Sequence, residues 1–302
     1  MAESFILPGI ALPSPTLSAR LRELADYLAA PADGRLTEEQ RALSLGIARR
    51  LVTDVAVRLD SGIDTGALWR DWLAGGLPGP ERFARACFAR AEEHRWREQS
   101  AQHSGPPEIL PRESNGLGDE EPTVREPLSA MDRAYLMLQI ADRRRFDALG
   151  HPALAVADLD PMIFRTLLND VAAWRLGQIS QDQGRAAALG DAVRAAMDGQ
   201  TDERGIDAAA SGYHDMLAER GALSDTAATA IARHDWPVLI ALAAAASDRS
   251  YSDTALALLT AEAAALPLLL APLQLDRIAL APLEASLAML SARAVAGQGD
   301  GQ

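Results

Sequence analysis

At 302 residues, 48% apolar and 24% charged, the chain is long enough for roughly two domains with their own cores; only 5% is aromatic, and its Ala- and Leu-rich composition favours packed helices over strand-rich sandwiches. All 29 basic residues are arginine, which removes Schiff-base, phosphate-loop and general-base lysines together with the enzyme classes built on them. The formal net charge of −13 disfavours generic nucleic-acid binding, and the single cysteine, Cys87, excludes an intrachain disulfide and points to a reducing compartment.

The opening "MAESFILPGIALPSP" lacks a basic leading region and is interrupted by Pro8, Pro13 and Pro15, so it reads as an extended arm rather than a signal peptide. Helices are expected at 16–30 and over 36–60, the second with a Thr37/Gln40 capping box at its start. Leu43, Ile47, Leu51, Val55 and Leu59 recur every fourth residue along it, with Ala48 and Val52 widening the apolar arc, as in a helix at the middle of a bundle. Helices around 64–74 and 79–97 follow, separated by "GGLPGP".

Residues 99–127 change character. They are rich in Pro, Gly, Ser and acid, with almost nothing to bury, and read as a flexible acidic linker. Helices resume at 129–149, 161–178 and 181–198; in "DLDP" Asp160 is placed as an N-cap and Pro161 at the first helical position. Ile163, Leu167, Val171 and Trp174 form the next stripe, and beyond Gly205 the helices shorten to roughly 10–14 residues.

"SDTA" opens two stretches, 224–243 and 252–271, that stand 28 residues apart and align Ile231 with Leu259, Ile240 with Leu268, and Leu242 with Leu270. Each reads as a Ser-Asp cap, a helix, a break and a second helix, and short helices of this kind are stable only when stacked on neighbours, as in an α-solenoid. Glu262, Pro267 and Pro272 argue against a membrane span over the apolar 255–275. A cytoplasmic protein is expected.

The candidates for chemistry are sparse. None of His94, His103, His151, His214 and His234 is paired at helical spacing, so neither metal nor cofactor is expected. Cys87 reads as a core residue, because His94 lies two turns away on the same helix. Asp158 and Asp160 superficially resemble a magnesium pair, but no sheet is in sight to place one and Asp160 already caps. No G-x-G-x-x-G, Walker or G-x-S-x-G motif occurs. The interaction candidates are Arg143, Arg144 and Arg145, the densest basic point, with Trp69, Trp72 and Trp236 as anchors. For the arginines the plainer reading is a solvated helix C-terminus, and for Trp69 and Trp72 it is core packing.

"TEEQRALSLGIARRLVTDVAVRL" and, more specifically, "IARHDWPVLIALAAAASDRSYSDTALALLTAEAAALPLLLAPLQL" resemble an all-helical alphaproteobacterial family, domain of unknown function 2336. The resemblance implies HEAT-like helix pairs and brings no established activity or catalytic residues. The expected architecture is all-α: an N-terminal helical bundle (1–98), the linker (99–127) and a C-terminal array of short helix pairs (128–302). The function expected is a non-enzymatic interaction or regulatory module that binds a protein through helical surfaces, with self-association through the apolar last hundred residues also in view. Two alternatives stand beside it. One is a cryptic enzyme uniting two or more of His151, His214, His234, Asp158 and Asp170 in a pocket; the other is a nucleic-acid-linked regulator using the Arg-bearing helices at 41–58 and 82–97.

Overall fold

The computed structural model describes residues 36–76, 80–103 and 128–293. The proline-rich arm, the helix expected at 16–30 and most of the expected linker, 104–127, lie outside the described residues. The chain divides into two compact units, 1–41 and 42–302. In the first, Thr37 and Gln40 form the capping box: the Gln40 N–H donates to Thr37 Oγ1 at 3.1 Å and the Thr37 N–H to Gln40 Oε1 at 2.9 Å.

Among the described residues every regular element is helical, and the one β-type pairing is an isolated bridge between Phe146 and Pro152. In chain order the α-helices are α1 (Glu38–Leu59), α2 (Thr65–Gly75), α3 (Pro80–His103), α4 (Ala130–Arg143), α5 (Pro161–Ile179), α6 (Gln183–Asp202), α7 (Ile206–Glu219), α8 (Leu223–Ala232), α9 (Trp236–Ala246), α10 (Tyr251–Thr260), α11 (Leu266–Leu269) and α12 (Ala281–Met289). Local chemistry sets many of their starts. Asp64, Ser129, Asp160, Asp182, Asp235 and Ser250 each accept a hydrogen bond from a first-turn N–H, and Pro161 holds the first position of α5. Gly205, which precedes α7, has no side chain to cap with. Asp158 does it from a distance, its Oδ1 accepting the Ile206 N–H at 2.7 Å. A Cβ on Gly205 would stand 2.5 Å from the Ala157 carbonyl oxygen, so this close approach requires glycine.

Two apolar cores fill the second unit. The first gathers Ile47, Leu51, Val55 and Leu59 of α1, Leu68 and Trp69 of α2, Phe83 and Cys87 of α3, and Phe164, Leu167, Leu168 and Val171 of α5, with Leu154, Val156 and Leu189. The second surrounds α9, whose residues from Trp236 to Ala244 are all buried, by α4, α7, α8, α10, α12 and the turns between 261 and 280. Burying a Leu or Ile side chain contributes about 1.5–3 kcal/mol, so an all-apolar helix is stable only where other helices enclose it. Both cores draw on residues from either side of 104–127. α3 reaches into each, giving Phe83, Cys87 and Ala91 to the first and Trp96 to the second.

Three elements depart from expectation. α3 continues through 99–103, where Ser100 is buried between indole and hydroxyl partners. α4 stops at Arg143 instead of running to 149, because the next residues turn inward to seat Arg145. The 28-residue correspondence holds for the first helix of each copy, but Ser224-Asp225 and Ser252-Asp253 sit inside the first turns of α8 and α10, whose cap positions are Ala222 and Ser250. The second helix, regular as α9, becomes a run of short turns at 263–273 interrupted by Pro267 and Pro272.

Candidate functional site: the outward face of α4 and the arginine turn

The sequence "AEEHRWREQS" (91–100) puts two arginines, a histidine and three glutamates on a stretch of helix that is nonetheless largely enclosed. Glu93 is fully buried, and three guanidinium groups converge on it. Arg145 grips it with two hydrogen bonds, at 2.9 and 2.6 Å, while Arg90 and Arg97 approach within 3.6 and 3.5 Å. Tyr251 donates its hydroxyl proton to Glu93 Oε1 at 2.9 Å and lays its ring under the Arg145 guanidinium, 4.4 Å from the centroid. Arg97 makes a second two-pronged pair with Asp142, at 2.7 and 2.9 Å, and Arg145 Nε lies 3.7 Å from Asp158 Oδ2. Arg90 donates to the carbonyls of Arg145 and Ala153, fastening the turn after α4 onto α3.

Three arginines thus face three carboxylates in an interior that penalises any one left over. Burial pushes the Glu93 carboxyl up, but Arg145, then Arg90 and Arg97, more than reverse this, and it titrates at about 2. Burial pulls Arg145 and Arg97 down while the carboxylates raise both above the ordinary arginine range; Arg90 is pulled down to about 10, first by burial and then by the two neighbouring cations, against the opposing pull of Glu93. The directions for Glu93 and Arg145 agree that the pair is favourable as an ion pair. Asp158 moves the other way, raised mainly by burial. The cluster is a brace between α3, α4, α10 and the 143–158 turn.

A second brace joins α3 to the last core. Trp96 stacks on Trp236 with centroids 4.4 Å apart and planes 14° from parallel. Trp96 Nε1 donates to Ser286 Oγ at 2.8 Å and Trp236 Nε1 to Ser100 Oγ at 2.7 Å, with the two hydroxyls 3.1 Å apart.

The structure therefore divides the interaction candidates. Trp236 is wholly buried, Trp69 is 8% exposed and Trp72 packs partly buried against the same core as Trp69, so these indoles anchor the interior. Arg145, 1% exposed, is corrected likewise: Glu93 draws it inward. Arg143 and Arg144 point outward, at the C-terminal end of α4 where cations complement the helix dipole. They border something the sequence reading passed over. α4 buries Leu138 and Ala141 against α7 but leaves Leu136, Met137 and Ile140 38–45% exposed, with Tyr135 beside them and Arg133 at the other end. Arg133, Arg143 and Arg144 make no ion pair or side-chain hydrogen bond among the described residues. The signal was legible: "YLMLQI" carries more apolar residues than one face of a helix can turn inward.

The other candidates do not converge. Of His151, His214, His234, Asp158 and Asp170, Asp158 alone lines the cleft of about 410 Å³ between α3, α5 and α10. His151 is exposed beside Asp147, His214 bonds to neighbouring Asp215, and His234 stacks on Trp236 at 5.1 Å. Among the described residues no three His, Cys, Asp or Glu are grouped to hold a metal ion, and no helix is long and apolar enough to cross a membrane. Burial drives the Cys87 thiol up to about 12. Along 82–97 the arginines suggested for nucleic acid are mostly committed: Arg85 pairs with Asp253, Arg95 with Glu92, and Arg90 and Arg97 with the Glu93 cluster.

No family model, curated protein or solved structure matches the chain.

Proposed function

We propose that the protein is a non-enzymatic interaction module that binds an acidic, amphipathic helix of another protein along the outward face of α4. The observation that carries this reading is the exposed Leu136–Met137–Ile140 stripe bounded by Arg133, Arg143 and Arg144. Exposed apolar side chains clustered on one helix face and rimmed by charge mark docking surfaces, and amphipathic helices are read by i, i+3, i+4 anchors of this kind. The rim is cationic on a chain of net charge −13, so it selects an acidic partner. A second copy of the same face would set arginine against arginine, which disfavours isologous pairing. The Glu93 brace supports the reading by fastening the turn after α4, so that the backbone carrying Arg143 and Arg144 is already ordered before a partner arrives. Kinship with domain of unknown function 2336 is part of the same proposal and adds no activity to it.

The test is capture of native-host proteins on immobilised full-length chain, with Leu136→Asp/Ile140→Asp as the comparison and circular dichroism to confirm that the variant is folded. A stoichiometric partner retained by the wild type and lost by the variant is expected. Equal capture by both, or none by either, would overturn the assignment of this face.

A further inference from the structure

We infer that a second cleft, between α1 and the turn that follows α4, is a binding site for a phosphate group. This goes beyond the protein-binding reading and does not rest on it. The cleft has a volume of about 900 Å³, and Arg49, Arg50, Arg58 and Arg144 line it together with Gly46 and Thr53. Arg49 and Arg50 are neighbours in sequence, and Arg58 lies two turns further along the same helix; Arg144 comes from the opposite wall. Three acids share the lining, Asp54, Asp147 and Glu203. Two of these are occupied: Asp147 accepts the backbone N–H groups of Leu149 and His151 and pairs with the His151 ring, and Glu203 accepts from Arg58 at 2.9 Å.

The arginines are less committed. Arg49 and Arg144 are exposed and their side chains bond to none of the described residues. Arg50 gives its Nε–H to the Pro152 carbonyl at 2.9 Å and has its nearest carboxylate, Asp147, 3.9 Å away, so its terminal nitrogens keep their donors. Gly46 lets that fork lie flat on the helix, since a Cβ there would meet Arg50 Nη2 at 3.3 Å. Three planar forks with donors to spare suit a tetrahedral oxyanion better than a carboxylate, which has only two oxygens to share among them. The overall charge of −13 repels a polyanionic backbone but leaves a local site for a single phosphate or pyrophosphate group.

The experiment is calorimetric titration of the full chain with inorganic pyrophosphate and, separately, phosphoserine, repeated with Arg49→Gln/Arg144→Gln and with Leu136→Asp. A single saturable site for pyrophosphate is expected, at least tenfold weaker in the double arginine variant and unchanged in Leu136→Asp, with sulfate but not acetate competing at equal ionic strength. Phosphoserine binding as tightly as pyrophosphate would assign the site to phosphorylated side chains; weaker binding would assign it to free phosphates, and either outcome supports a phosphate site. No saturable pyrophosphate binding, equal binding by the arginine variant, or equal competition by acetate would overturn it. Because Leu136→Asp disables only the α4 face, loss of partner capture with pyrophosphate binding intact separates failure of one site from failure of the other.

Discussion

Replacing Glu93 by Gln keeps the size of the side chain and removes the one anion on which Arg90, Arg97 and Arg145 converge. Asp142 and Asp158 remain, so the interior is left with three cations and two carboxylates in place of an even balance. Breaking a buried ion pair from one side costs about 3–5 kcal/mol, and a carboxyl held at about 2 against an ordinary 4.5 corresponds to about 3 kcal/mol by linkage, so the two routes agree. The pH dependence has a definite sign. A depressed carboxyl contributes its stability in full above its unfolded value and loses it as pH falls through the folded value. The gap between wild type and Glu93→Gln is therefore largest above about pH 4.5 and closes on the way down to about 2. Urea unfolding followed by far-ultraviolet circular dichroism at pH 7, 4.5 and 3 measures it. A gap below about 1 kcal/mol at pH 7, or one that does not narrow between pH 4.5 and 3, would refute the account of Glu93 as the centre of the brace.

Other perturbations address neighbouring features. Trp236→Ala is expected to cost about 3–5 kcal/mol, since it empties the stack with Trp96 and removes one of the two hydrogen-bond partners of Ser100, whereas Trp72→Ala, at a partly exposed site, costs less than about 2; chemical denaturation ranks them, and a reversed order would refute the placement of Trp236. Gly205→Ala ordinarily favours folding, but here the new methyl meets the Ala157 carbonyl and Asp158, and a loss of about 1–3 kcal/mol is expected from thermal melting; a gain would show that the turn yields. Cys87 should stay unlabelled by a thiol reagent at pH 8 in the folded protein and react at once in denaturant, because burial holds its thiol protonated up to about 12; rapid labelling without denaturant would contradict its place in the core.

Much of the helical plan was legible from local signals. The capping box at Thr37, the Asp160–Pro161 start and the stripe from Ile47 to Leu59 depend on residues a few positions apart, and local hydrogen bonds and one-faced burial fix them. The fate of the three arginines was not. Arg143, Arg144 and Arg145 are chemically identical neighbours, and only the third is drawn inside, by a glutamate 52 residues earlier in the chain. The charged run around Glu93 looks like a solvated surface for the same reason: its partners are remote. The exposed stripe on α4 is the reverse case, a surplus of apolar residues that periodicity alone could have flagged, while the arginine-lined cleft needed the turn at 144–157 to bring Arg144 opposite Arg49 and Arg50.

The span of the α3 contacts bears on how the chain is made. Glu93 waits for Arg145, 52 residues on, and for Tyr251, 158 residues on; Trp96 waits for Ser286, 190 residues on. During synthesis, at roughly 5–20 residues per second, α3 emerges with only the arginine–glutamate pairs along its own length; Glu93 gains Arg145 once the turn after α4 is made, but its Tyr251 partner and the Ser286 partner of Trp96 arrive only with α10 and α12. Contacts so distant in sequence close late and slowly. A chain released early, even one that includes α9, lacks Tyr251 and Ser286, and the cell's quality control meets it as an unfinished molecule.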